Sequence, residues 1–98
     1  MMIKNQNISL TSKVYQCEGN FVSDMDGEKV MLNINNGKYY NLGEIGGFIW
    51  ECICSPVKVN QIVTELMNRY DVEQNLCEAH VLEYLNQLSD EKLIKIGD

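Results

Sequence analysis

The sequence predicts an α+β domain, a three-stranded antiparallel β-meander followed by three helices and winged helix-turn-helix-like in outline. Three observations lead there. Two turn signals, Asp26-Gly27 and Asn35-Asn36-Gly37, each separate short alternating runs, and Asp, Asn and Gly tolerate the positive φ of tight hairpins. From residue 44 onward the apolar period changes from two to about 3.6. Ninety-eight residues, 45% apolar and 22% charged, suit one domain with a core that needs no disulfide.

The elements follow in order. Residues 1–13 are polar and weakly patterned and read as a loose arm, and Val14 to Glu18 as a short strand, so that residues 1–20 form an N-terminal arm and 21–98 the domain proper. Phe21-Val22-Ser23-Asp24-Met25 opens the meander, residues 29–33 return antiparallel after Asp26-Gly27, and residues 38–42 complete it. That last run lies at an edge unless the arm covers it, and an edge carries unpaired N–H and C=O groups that can template another chain. Residues 44–54 put Ile45, Phe48, Ile49, Cys52 and Ile53 on one helical stripe, which Ser55-Pro56 stops because the residue before proline avoids the α region. A second helix over 59–70 turns Val59, Ile62, Val63, Leu66, Met67 and Tyr70 inward, with Lys58 at an N-cap position that usually prefers Ser or Thr. Asn75 is the expected cap of a third helix over 75–91, with Glu78 at N3 in a box-like arrangement. Its apolar positions are Leu76, Val81, Leu82, Leu85 and Leu88, and the tail 93–96 is apolar enough to pack back.

Several function classes are disfavoured. Cys17, Cys52, Cys54 and Cys77 form no CxxC pair and share the chain with one histidine, His80, so neither a metal site nor a Cys/His nucleophile is expected. Cys52 and Cys77 read as small buried hydrophobes. Gly43, Gly46 and Gly47 lack the spacing and lysine of a phosphate loop and suit close packing at a helix start. Asp24, Asp26 and Glu28 lack EF-hand spacing. The expectation is no catalysis, no cofactor and no metal. No signal-type segment or run of about 20 apolar residues occurs, so the expected location is cytoplasmic with no membrane contact. Net charge is −6 with eight Lys and Arg, and residues 75–91 hold neither, so a DNA-reading third helix is disfavoured and nucleic acid is not an expected partner. A cationic partner suits this balance better.

Peptide binding remains. A peptide strand added to the edge gains about 0.5–1.5 kcal/mol per ladder hydrogen bond and loses about 1–2 kcal/mol of backbone entropy per ordered residue. Strand pairing alone therefore roughly breaks even, and two or three apolar anchors of about 2 kcal/mol each are required. Val81, Leu85 and the amphipathic Tyr84 can supply them from the third helix, with Leu82 and Leu88 assigned to the core. Tyr39 and Tyr40 point to opposite faces, so at least one lies outside the core.

The segments Val30-Met31-Leu32-Asn33, Asn36-Gly37-Lys38-Tyr39-Tyr40-Asn41-Leu42-Gly43 and Ile49-Trp50, with Val81, Leu85, Leu88 and Leu93-Ile94, together resemble the PqqD-like family, in particular its stand-alone members from lasso-peptide biosynthesis. The resemblance spans roughly residues 21–96. It implies a RiPP recognition element, a small winged-helix-like domain without catalytic activity that binds the leader segment of a precursor peptide. The leader would join the third strand of the meander and lie against the third helix. It would then pass to a transglutaminase-like cysteine protease, the leader peptidase, before an ATP-dependent cyclase closes a macrolactam ring. Carried onto this chain, the peptide-binding residues are Lys38, Tyr39, Tyr40, Asn41 and Leu42 on the strand and Cys77, Glu78, Val81, Tyr84 and Leu85 on the helix. The segment 8–20 departs from the family pattern. The alternatives are a PqqD-type chaperone for a radical-SAM maturase and, more remotely, a winged-helix DNA regulator.

Overall fold

Val14 has no exposed surface and lies in a short strand, close to where the sequence places one. In the computed structural model, which describes residues 8–97, the elements run β1 (Lys13–Gln16), β2 (Asn20–Met25), β3 (Glu28–Asn33), β4 (Lys38–Asn41), α1 (Gly43–Cys52), β5 (Val57–Lys58), α2 (Val59–Arg69), α3 (Gln74–Asp90) and β6 (Ile94–Gly97). The expected meander is present as the antiparallel sheet β2-β3-β4. A second sheet, β5-β1-β6, adds to the three strands expected. Here β1 pairs Val14 with Val57 on one side and with Ile96 on the other.

That second sheet takes up the short strand expected in the arm, and the described residues before it are not loose. Residues 1–7 lie outside the described residues, but Ile8 is buried and the backbone after it has definite work. The N–H groups of Val59 and Asn60 donate to the carbonyls of Ser12 and Leu10, both at 2.9 Å. These are among the first N–H groups of α2, which have no partner inside the helix. The side chain of Gln61 accepts the Lys58 N–H at 3.2 Å. The arm and Gln61 thus explain how a lysine stands at the N-cap.

The helices differ from expectation in detail. In α1 the buried face is Gly46, Gly47, Ile49 and Trp50, whereas Ile45 is 44% exposed. The stripe is rotated because the two glycines let β3 and α3 approach. A Cβ on Gly47 would meet the Lys29 stem at 2.6 Å, and one on Gly46 would meet the Tyr84 hydroxyl at 2.6 Å. Lys29 reaches on to Asp24 at 3.0 Å and Glu51 at 3.1 Å, tying the meander to α1. In α2, Val59, Ile62, Val63 and Leu66 are buried but Met67 is exposed. The cap of α3 is Glu73, not Asn75, with its carboxylate accepting the Leu76 N–H at 3.3 Å, and Leu76 itself faces solvent. Glu78 is not a capping-box partner; it accepts from Gln74 Nε2 at 2.9 Å.

Ile53 follows the last turn of α1 and belongs to the hydrophobic core. It is fully buried, and its carbonyl accepts the Gln16 N–H at 3.0 Å. Ile53→Ala leaves a cavity there and is expected to cost about 2–5 kcal/mol of stability, read as a lower urea midpoint with an unchanged denaturant slope.

Candidate functional site

The hairpin that presents β4 is fixed by its own asparagines. The Gly37 N–H donates to the Asn33 carbonyl at 2.8 Å, the Asn36 N–H to Asn33 Oδ1 at 2.9 Å and the Lys38 N–H to Asn36 Oδ1 at 2.8 Å. Gly37 takes a φ of +72°, which its lack of a Cβ permits. Beyond the turn, Tyr40 lies opposite Met31, and the Leu42 N–H donates to the Lys29 carbonyl at 2.8 Å. Antiparallel pairing alternates direction residue by residue. The peptide groups of Tyr40 and Leu42 therefore face β3, and those of Tyr39 and Asn41 face outward. Among the described residues no strand covers that side, because the sheet order ends at β4.

Side chains alternate as well. Tyr39 is 73% exposed on the outer face, in a cross-strand row with Leu32 and Phe21. Lys38, Tyr40 and Leu42 turn toward α3. Between β4 and α3 lies a groove of about 620 Å³, lined by residues 38–42 and by Tyr84, Gln87, Leu88, Asp90, Glu91 and Leu93. Its far end is polar. Tyr40 Oη donates to Glu91 Oε1 at 2.9 Å and accepts from Asn36 Nδ2 at 3.0 Å, while Lys38 Nζ lies 3.7 Å from the same Glu91 oxygen.

Its near end adjoins a second concavity of about 370 Å³ between the three helices, walled by Ile45, Gly46 and Ile49 of α1, Leu66 of α2 with Tyr70 just after it, and Cys77, His80, Val81 and Tyr84 of α3. Leu42 and Tyr84 line both spaces. The Tyr84 hydroxyl sits above Gly46, is buried, and has no hydrogen-bond partner among the described residues. Tyr70, on the same wall, already gives its hydroxyl to Glu44 Oε2 at 3.2 Å. Burial pushes the Tyr84 hydroxyl up to about 12. An unpartnered buried hydroxyl costs about 1–3 kcal/mol, so this one weighs against the fold.

Of the residues expected at the site, Lys38, Tyr39, Tyr40, Asn41, Leu42 and Tyr84 line the groove, while Cys77 and Val81 line the inter-helix cavity. Glu78 and Leu85 line neither, and Leu85 is fully buried in the core. Gln87, Leu88 and Glu91 were not expected there. They stand three, four and seven positions after Tyr84, so the helical period from that tyrosine finds them; Leu85, one position on, is turned about 100° away. No group of three metal-ligating side chains occurs among the described residues, and no described helix is long and apolar enough to cross a membrane.

Residues 28–94, more than half of the chain, match the family model for coenzyme PQQ synthesis protein D, PqqD. Two solved structures share the fold. TbiB1 in complex with the TbiA(beta) leader peptide aligns with TM-score 0.75 and 22% identity, over 83% of this chain and 94% of that one. A lasso peptide synthetase B1 complexed with its leader peptide aligns with TM-score 0.74 and 17% identity, over 84% and 96%. A search of curated proteins finds no match.

The position of Tyr84 has a consequence in alkali. An unfolded tyrosine loses its proton near pH 10, whereas the folded Tyr84 keeps its proton up to about 12. Between those values the unfolded state binds fewer protons, so stability falls as pH rises. The half-buried thiols of Cys17 and Cys52 and the buried thiol of Cys77 are also pushed up by burial and add a fall beginning lower. The difference between wild type and Tyr84→Phe in denaturant titrations from pH 8 to 12 isolates the tyrosine. It is expected to be flat below about pH 10 and to open above it.

Proposed function

The chain belongs to the PqqD family, and from that premise we propose that it is a non-catalytic module holding the leader segment of a ribosomally made precursor peptide as a strand added to β4. The observation that carries this reading is the outward-facing backbone of Tyr39 and Asn41 beside a groove walled by α3. Ladder bonds roughly offset the ordering of the peptide, so affinity rests on the groove. Leu42, Tyr84 and Leu88 offer it apolar surface. The fold is shared with two proteins described in complex with leader peptides, which supports a leader as the extended ligand. We propose that the bound precursor then passes to a separate transglutaminase-like leader peptidase and an ATP-dependent cyclase. The description of the matched family, coenzyme PQQ synthesis, supports a second destination, a radical-SAM maturase. The genes beside this one separate the two, since a peptidase and cyclase, or a radical-SAM enzyme, would be encoded there.

The test uses a fluorescein-labelled synthetic peptide copying the leader of the short precursor encoded beside this gene. Asn41→Pro removes an outward N–H and leaves the bonds to β3 intact. It strands a peptide carbonyl and is expected to weaken binding at least about tenfold in fluorescence anisotropy. Asn41→Ala controls for the side chain, which bonds Glu28 and the Gly43 N–H, and should stay within a few-fold of wild type. Wild-type affinity in a folded Asn41→Pro protein would place the peptide elsewhere.

Charge gives an independent prediction. With −6 on the chain and Asp90 and Glu91 in the groove, a lysine-bearing leader should bind more weakly at 0.5 M than at 0.05 M salt, where screening is slight. An affinity equal at both concentrations would remove electrostatic capture from the reading.

A further inference from the structure

Of the asparagines in the chain only Asn36 is followed by glycine. That pair is reactive for a general reason. A backbone nitrogen can attack the side-chain carbonyl of the asparagine before it, and a glycine, lacking Cβ, leaves the approach open. Asn36 is exposed in the turn that feeds β4, so water reaches it. The folded turn nevertheless occupies all three reacting groups. The nucleophile is the Gly37 nitrogen, whose N–H donates to the Asn33 carbonyl at 2.8 Å. The electrophile is Asn36 Cγ, whose Oδ1 accepts the Lys38 N–H at 2.8 Å. The leaving group is Nδ2, which donates to Tyr40 Oη at 3.0 Å. Ring closure requires the first bond to break and the side-chain amide to rotate out of the other two.

We propose that Asn36 is a site of spontaneous conversion to aspartate and isoaspartate, restrained by the closed turn and released when the β3–β4 hairpin opens. The Gly37 nitrogen loses its proton to solvent and bonds to Cγ; the Cγ–Nδ2 bond breaks, and Nδ2 takes up one proton and leaves as ammonia. One water then opens the resulting succinimide at either of its carbonyls. An amide and a water thus become a carboxylic acid and ammonia, and nothing is oxidised or reduced. Either product loses the donor to Tyr40 Oη and sets a carboxylate beside a hydroxyl that already serves Glu91. Isoaspartate also routes the main chain through Cβ, which lengthens the turn that holds β4 in register against β3. The damage falls on the strand that the leader-binding reading uses, but the conversion does not depend on that reading.

The test incubates the whole protein in mildly alkaline buffer, folded and in denaturing urea, and follows the tryptic peptide 30–38 by mass spectrometry with fragment sequencing. The expected result is the amide-to-acid mass gain at Asn36 and not at Asn33 or Asn35, at least about tenfold slower in the folded protein because it runs from a locally opened state. Isomerisation at Asp26-Gly27 leaves the mass unchanged and is not mistaken for it. No gain at Asn36 in either state overturns the site, and equal rates in the two states overturn the restraint. Hydrogen exchange of the Gly37 amide in the folded wild type reads the same opening: it should be protected, and unprotected exchange also overturns the restraint. Tyr40→Phe removes the acceptor of Nδ2 and is expected to speed conversion several-fold in the folded protein; an unchanged rate removes Tyr40 from the restraint. Protein carrying isoaspartate should show a lower Tm and shifted amide signals from Lys38 to Asn41. Values equal to those of fresh protein overturn the damage to β4.

Discussion

The Leu42 N–H donates to the Lys29 carbonyl at 2.8 Å, and that bond decides which way each peptide group of β4 points. It closes the last rung of the β3–β4 ladder just before α1 begins, so the alternation it imposes cannot slip without dragging the helix along. A slip of one residue would turn Tyr39 and Asn41 inward and expose Leu42 and Tyr40. It would also take Tyr40 away from Met31, which is fully buried opposite it. The register is thus held by burial on one face, and the open edge follows from it. Strand addition needs an edge whose register is fixed before the partner arrives. Here the hydrophobic core supplies that order.

The distance between β4 and α3 is set one layer away. The close approach of α1 to both neighbours depends on two residues without side chains. Gly47 admits the Lys29 stem, whose ammonium is then shared by Asp24 and Glu51, and Gly46 admits Tyr84. The ion pairs are partly exposed and contribute little individually; the packing of the lysine stem against the helix matters more. Because the same helix is wedged against β3 on one side and α3 on the other, the groove is framed by helix–sheet contacts rather than by a loop. A site on rigid elements loses less entropy when it is filled.

These glycines also mark where the sequence was hard to read. Hydrophobic periodicity assigned α1 the stripe Ile45, Phe48, Ile49, Cys52 and Ile53; the structure buries Ile49 and Ile53 and half-buries Phe48 and Cys52, but exposes Ile45 and adds Gly46, Gly47 and Trp50 to the buried face. Glycine carries no hydrophobic signal even when it is the contact surface, so a face built on two of them is invisible to that method. The meander was legible because Asp26-Gly27 and Asn36-Gly37 state their turn chemistry locally. The sheet β5-β1-β6 was not, since its pairing joins residues 13–16 to 94–97 and a two-residue strand after Pro56. Short strands in polar surroundings are decided by tertiary pairing rather than by propensity. On α3 the face was partly legible. Val81 and Leu85 were expected to grip the peptide and Leu88 to sit in the core, whereas Leu88 lines the groove and Leu85 fills the core; only the period from Tyr84 separates those two rows.

Tyr84 remains the residue that local rules would not have chosen. Phenylalanine would keep the ring near Gly46 and leave no stranded donor, whereas the hydroxyl is buried without a partner at a cost of about 1–3 kcal/mol. Tyr40 is the informative contrast. It too stands at the groove, but its hydroxyl bonds both Glu91 and Asn36 and pins the far end of the channel. One tyrosine is satisfied where the groove must keep its shape, and the other is unsatisfied where the groove borders apolar space. Sequences tend to break local rules at functional positions and offset the loss elsewhere. The unpartnered hydroxyl leaves the Leu42 end of the groove with a local cost that the far end does not carry.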